Sequence, residues 1–393
     1  MLSACRAPYL REEAKNTKLL NGYSALFEKD KIAENFRTLN EKYPAVKINK
    51  SNTPYVIPDS LTTNVLPASF IFEGKDYNIA EEIKKRAFTS LLVIKNGKVI
   101  FEQYYHGNEK YDPVILFSCT KSIIGLLTGI AYEKGYIKSL NDPAVKYAPE
   151  LKGTAYEQIT VQNLLNMSSG VKWSEDYGDL NSEMVQSFLA ALKGSLNDYT
   201  KRMKTLRPQG VFNQYTSMDA QVLAMIVAGA TKKKLEVFFK DNLWSKIHAE
   251  SNAYFLMDKT GFPIAYGGLM MSARDLSKIG LLLLNEGRNF KGEPVFSKEW
   301  INQSITPEES HLMPGKRRNS DSAEGYKNLW WLPVERDKKD FSAIGIYGQT
   351  LYVNPGKNII IVSNGAYADY NDDIIGDTRR LKMFQTIAKY IDR

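Results

Sequence analysis

Ser118 and Lys121 stand three residues apart in Ser118-Cys119-Thr120-Lys121, just ahead of an almost wholly apolar stretch. On a helix, positions i and i+3 share a face, so one turn brings a hydroxyl and an amine together. The residues from Ser122 to Tyr132 are apolar at nearly every position, which predicts a helix buried on all sides that stops at Glu133-Lys134-Gly135. Burial at the mouth of such a helix disfavours an ammonium ion, and a neutral amine accepts a proton from serine. The pair is thus suited to act as a nucleophile with its own base. The plain alternative is a serine that caps the helix and a lysine in solvent, and spacing alone does not separate the two. Cys119 is also a nucleophilic type, but it points roughly 100° around the helix from Ser118 and lacks the i, i+3 relation to Lys121. It reads as a small core residue.

The rest of the composition removes competing chemistries. Of 393 residues, three are histidine (His106, His248, His311), none of them next to a serine or in an HExxH arrangement. A Ser-His-Asp hydrolase needs such a base, and no G-x-S-x-G elbow is present to hold its serine. Two cysteines make no disulfide framework and no zinc spacing, so neither a metal nor another cofactor is expected. The net charge of +8 is dispersed, with short runs at Lys232-Lys233-Lys234 and Lys316-Arg317-Arg318 that read as solvated faces. No basic stripe is interleaved with aromatics, which argues against nucleic acid as a partner. The apolar runs fall short of the ~18 to 20 residues a bilayer requires. Met1-Leu2-Ser3-Ala4-Cys5 has the small-residue spacing of a lipoprotein cleavage site but lacks the charged and apolar regions that precede one. A lipid anchor at Cys5, with a periplasmic location, is expected if the true start lies upstream, and a cytoplasmic location otherwise. Oligomeric state is not readable.

Positioning elements fall at both ends of the chain. Residues 1 to about 60 are polar and irregular and read as an N-terminal extension with one or two short helices; residues 61–393 form the main domain. Ser90 to Lys95 and Lys98 to Tyr105 flank Asn96-Gly97, the strongest short hairpin signal. Helices are expected from about Ser217 to Ala230 and from Ala273 through Leu284 to Gly287. Strands return at Trp330–Leu332, Ala343–Tyr347, Thr350–Val353 and Asn358–Val362, with Asn354-Pro355-Gly356-Lys357 as a turn. A helix at about Thr378 to Ile391 closes the chain. The fold class is therefore α+β: an antiparallel sheet assembled from both ends of the chain, flanked by helices, with a helical region at about 136–270 inserted between its halves.

Four ordered blocks resemble the serine β-lactamase and penicillin-binding-protein superfamily, in its class C β-lactamase and esterase branch. They are Ser118-Cys119-Thr120-Lys121; Asn163 to Gly170; Pro208-Gln209-Gly210-Val211-Phe212-Asn213-Gln214-Tyr215-Thr216-Ser217; and Gly267-Gly268-Leu269-Met270-Met271-Ser272-Ala273-Arg274-Asp275-Leu276. The resemblance covers roughly residues 85 to 390. Glu175-Asp176-Tyr177, Tyr215-Thr216-Ser217 and Gly345-Ile346-Tyr347-Gly348-Gln349 are similar to the 6-aminohexanoate-dimer hydrolases of that branch. The resemblance implies Ser118 as nucleophile, Lys121 as base, Tyr215 as proton relay, and an oxyanion site formed by the backbone N–H groups of Ser118 and Ile346. It further implies that Ser217 holds Lys121 and the relay, that Tyr177 leans over the substrate from a loop, and that Gly345 lies beside the site. Tyr266 and Tyr347 stand where that subgroup carries asparagine and histidine, and either line the pocket or fill space.

The departures narrow the expected substrate. Ala343-Ile344-Gly345 aligns with the Lys-Thr-Gly of lactamases, so the cation that receives a β-lactam carboxylate is missing. The acidic residue that receives the nylon dimer's amine has no evident counterpart. The expectation is a serine hydrolase that cleaves a small carboxylic ester, amide or short peptide through an acyl-enzyme. Its rivals are a penicillin-binding D-amino-acid peptidase or β-lactamase and, from a different class, a catalytically idle binding protein of the same fold. The intact Ser-Lys-Tyr set argues against idleness.

Overall fold

The computed structural model describes residues 24–369 and 373–393, with side chains placed at 24–369 and 378–393. Cys5 lies outside the described residues. Seven strands form the main sheet: β1 (Phe88–Lys95), β2 (Lys98–Tyr104), β3 (Gly325–Lys327), β4 (Trp330–Leu332), β5 (Phe341–Gly345), β6 (Gln349–Asn354) and β7 (Ile359–Gly365). Their spatial order is β2-β1-β7-β6-β5-β4-β3, antiparallel throughout. The two ends of the chain meet where β1 pairs with β7, so the sheet closes only once the last third of the chain is in place. At the β1–β2 turn, Asn96 and Gly97 both take positive φ (51° and 73°), the conformation that matches a tight turn to the twist of its strands.

Alternate residues of the central strands feed two cores. Leu92, Ile94, Ile360 and Val362 face helices α1 (Cys119–Glu133) and α3 (Ala273–Leu284), whereas Leu91, Val93, Ile359 and Ile361 pack with Phe384 and Ile387 of the terminal helix α4 (Asp373–Ile391). Every residue of α1 from Cys119 to Ala131 is buried, and α2 (Ser217–Thr231) lies against it. Gly135, with φ 72°, follows the end of α1. Gly129 permits the close approach of Trp300: a Cβ there would lie 2.2 Å from the indole.

A second sheet was not visible in the sequence pattern. Ala45–Ile48 pairs with Ala253–Leu256, which pairs with Leu269–Met271, which pairs with Val114–Ile115. Residues before 60, expected as irregular chain with short helices, thus also supply an edge strand, and the stretch 136–270, expected as helical, also carries Ala253–Leu256. Four-residue strands are too short to show period-2 alternation, which explains the omission. This small sheet matters because Val114–Ile115 runs directly into Ser118, and the turn before Leu269 contains Tyr266. Several bounds also differ from expectation. β5 ends at Gly345 because Tyr347 takes φ 69° and turns the chain, β7 continues to Gly365, and α4 begins at Asp373. Among the described residues no helix is long and apolar enough to cross a membrane.

Candidate active site

Ser118 occupies the position before α1 with φ −66° and ψ −13°, and its side chain makes no capping bond to the helix. That disposes of the capping alternative. Instead its Oγ accepts a hydrogen bond from Lys121 Nζ at 2.8 Å. Lys121 is 2% exposed and donates a second bond, 2.7 Å, to the Tyr266 carbonyl. Its Nζ also lies 5.1 Å from the centroid of the Tyr215 ring and 5.7 Å from that of Tyr266.

Burial lowers the lysine pKa from 10.5 to about 8; the charge of Glu175 and the Cys119 thiol oppose the shift without cancelling it. At such a value roughly a tenth of the amine is neutral at pH 7, against less than about a thousandth for a lysine in water. Tyr215 goes the other way. Burial first, then the neighbouring Tyr326 and Glu175, push its phenol well above 10, with the Ser118 hydroxyl beside it acting weakly in the opposite sense. Tyr215 therefore keeps its proton at neutral pH, and of the two groups it is the lysine that has a neutral fraction. Tyr215 itself is held by its ring, stacked on Trp331 at 5.3 Å and edge-on to Tyr326 at 6.2 Å, and by its backbone N–H, which donates to Asp321 at 3.2 Å.

Glu175 is the residue that sequence reasoning passed over. It accepts hydrogen bonds from Ser217 Oγ (2.6 Å), Tyr177 Oη (2.8 Å), the Ser217 backbone N–H (3.3 Å) and Trp173 Nε1. One carboxylate thus ties the loop before Tyr177 to the start of α2. Ser217, expected to hold Lys121, donates to Glu175 instead, and the second partner of Lys121 is a backbone carbonyl. The available signal was the acid itself, two residues ahead of Tyr177 in the same block.

The end of β5 lies directly over the start of α1. A Cβ on Gly345 would meet the Leu116 carbonyl at 2.4 Å and the Ser118 N at 3.2 Å, so only glycine allows this approach. Two strained non-glycine residues flank the junction, Phe117 (φ 44°) before Ser118 and Tyr347 (φ 69°) after Ile346. Their rings pack at 5.2 Å, and Tyr347 also stacks on Phe27 and meets Phe36 at a tilt of 54°. An aromatic cluster therefore holds both bends in place.

The site opens into a recess of about 850 Å³, counted to the solvent at its mouth. Ser118, Lys121, Tyr177, Ser217, Tyr266, Ile346 and Tyr347 all border it. Tyr266 and Tyr347 thus line the pocket. Ala343 and Ile344, where a lactamase-type cation was missed in the sequence, are buried in the sheet. His311, buried, has its Nε2 3.1 Å from Ser168 Oγ, but neither residue borders the recess, so this histidine–serine contact belongs to the core.

The fold and the site define a serine hydrolase of α+β architecture, and comparison with known proteins narrows the class. The family model described as Beta-lactamase matches residues 78–376, and the chain belongs to that family. It is 28% identical over 347 residues to the 6-aminohexanoate-dimer hydrolase of Paenarthrobacter ureafaciens, with 85% of each chain covered. Its fold is similar to that of a candidate 6-aminohexanoate-dimer hydrolase from Bacillus anthracis, with TM-score 0.83, 24% identity, and 93% and 96% of the two chains covered. A more distant likeness is to EstCE1, described as a hydrolase with promiscuous acyltransferase activity, with TM-score 0.60, 14% identity, and 80% and 98% coverage.

Proposed function

We propose that the protein cleaves a carboxylic ester or amide through an acyl-enzyme on Ser118. The observation that carries this reading is the 2.8 Å contact between Lys121 Nζ and a serine hydroxyl that is not used as a helix cap. In the first step the Ser118 oxygen adds to the carbonyl carbon while its proton passes to neutral Lys121. The oxyanion forms against the N–H groups of Ser118 and Ile346, where the positive end of α1 favours it. Collapse breaks the bond to the leaving oxygen or nitrogen, which takes a proton from Lys121 relayed through Tyr215. Water then adds to the acyl-enzyme, returns a proton to Ser118 by the same route, and releases the acid. Glu175 supports the arrangement by fixing Ser217 and Tyr177.

The chemistry of β-lactams and cell-wall peptides fits less well, because Ala343-Ile344-Gly345 offers their carboxylate no cation. Hydrolysis of the 6-aminohexanoate dimer, named for the relatives, requires a place for an ammonium group, and no carboxylate among the described residues borders the recess. The test is covalent labelling of the purified protein with a fluorophosphonate and, separately, a fluorescent penicillin, with Ser118→Ala as control. The expected result is labelling of the native chain by the first probe only and none of the variant. Failure of the fluorophosphonate to label the native chain would refute the assignment.

A further inference from the structure

We infer that the acyl half of the substrate is an uncharged, apolar chain, and that residues N-terminal to the family-matched region help select it. This rests on the acyl-enzyme reading above and specifies what that site accepts.

Charge is the first argument. Among the described residues Lys121 is the sole ionisable acid or base of full charge bordering the recess, apart from tyrosine phenols. Its amine is engaged by Ser118 Oγ and the Tyr266 carbonyl. Glu175, whose charge acts on Lys121, does not border the recess and already accepts from three residues. An acyl chain ending in an ammonium or carboxylate would therefore meet no free opposite charge among the described residues of the wall, and its desolvation costs far more than burial of a methyl group gains.

Shape is the second. On the helix Glu183–Lys193, Met184, Phe188 and Leu192 stand at i, i+4 and i+8 and all face the recess. They make an apolar stripe about 12 Å long, the reach of an extended acyl chain of roughly eight to ten carbons. Phe27, Phe36 and Leu39 line another part of the wall, and all three precede residue 78, where the family match begins.

Orientation is the third. Tyr215, the proton donor to the leaving atom, does not border the recess; its ring is covered by Trp331 and Tyr326. The leaving group must reach Tyr215, so the arm of the substrate that enters the recess is the acyl arm.

The experiment measures kcat/KM of the full chain for p-nitrophenyl esters from acetyl to decanoyl at concentrations below micelle formation. Each methylene buried is expected to raise kcat/KM by up to about fourfold, the equivalent of about 0.8 kcal/mol, for a rise of up to about 4000-fold over the six methylenes from acetyl to octanoyl and of at least about 60-fold if only half of that free energy is realised per methylene. In parallel, the heptanoyl ester is expected to exceed the near-isosteric 6-aminohexanoyl ester by at least about 100-fold. Phe188→Asp should reverse that preference in part, by lowering heptanoyl and raising 6-aminohexanoyl turnover. Turnover that is flat or falling with chain length, or a 6-aminohexanoyl ester as good as heptanoyl, overturns the apolar acyl site while leaving the hydrolase reading intact. Absence of both turnover and fluorophosphonate labelling overturns the two together.

Discussion

Replacing Lys121 with methionine should make the protein more stable and inactive at once. The buried amine titrates at about 8 in the fold and at 10.5 in the unfolded chain. Between those values the unfolded state binds more protons, so stability contributed at this site rises with pH across that window. Below pH 8 the fold carries the full penalty of a buried ammonium, about 3 kcal/mol at pH 7. Methionine is close in length and removes that penalty, but it leaves the Ser118 hydroxyl and the Tyr266 carbonyl without the donors they now have. At about 1 kcal/mol for each lost bond, the net effect is a gain of about 1 kcal/mol at neutral pH. The pH dependence is the sharper quantity. Denaturant unfolding of both proteins at pH 7 and pH 10.5 should show the variant losing about 2 to 3 kcal/mol relative to the native chain as pH rises. Fluorophosphonate labelling of the variant should be absent or slower by at least about 100-fold. A stability difference that stays constant from pH 7 to pH 10.5 would refute the claim that Lys121 is a strained, depressed amine.

Two further substitutions separate the roles in the site. Glu175→Gln removes the carboxylate charge that holds the Lys121 pKa up, so the pH profile of labelling should move to lower pH, with the rate at pH 6 relative to pH 8 rising about threefold or more; an unmoved profile would contradict the coupling. Tyr215→Phe keeps the ring against Trp331 and Tyr326 and should leave stability within about 1 kcal/mol. Its amide turnover should fall by at least about 100-fold, with a smaller loss of fluorophosphonate labelling, because fluoride departs without a proton. Equal losses in the two assays would exclude Tyr215 as the acid for the leaving group.

How much of this was legible in the sequence depended on how local each signal was. The Ser118–Lys121 pair needs one helical turn, and the Asn96-Gly97 hairpin needs two residues with positive φ; both patterns lie within a few positions of sequence. The Tyr266 carbonyl that receives Lys121 lies 145 residues away, and every residue carries a carbonyl, so nothing in the chain marks this one. Glu175 was present in a recognised block yet read as scenery for Tyr177, because its significance lies in converging donors from Trp173 and Ser217. Ser217 was given the wrong partner for the same reason. The small sheet escaped because strands of four residues or fewer carry no readable period, and its edge strand Ala45–Ile48 lies in a segment whose composition is that of a loop.

The recess wall that carries Phe27, Phe36 and Leu39 and the edge strand Ala45–Ile48 are neighbours in sequence, and both precede the region shared with the family. Phe27 and Phe36 also pack on Tyr347, so the stretch that lines this wall braces the turn beside Ile346 as well. The recess is built jointly, by Phe27, Phe36 and Leu39 from ahead of residue 78 and by Met184, Phe188 and Leu192 from within the matched region. A substitution at Phe27 or Phe36 would thus act on the pocket wall and on the strained turn at Tyr347 at the same time.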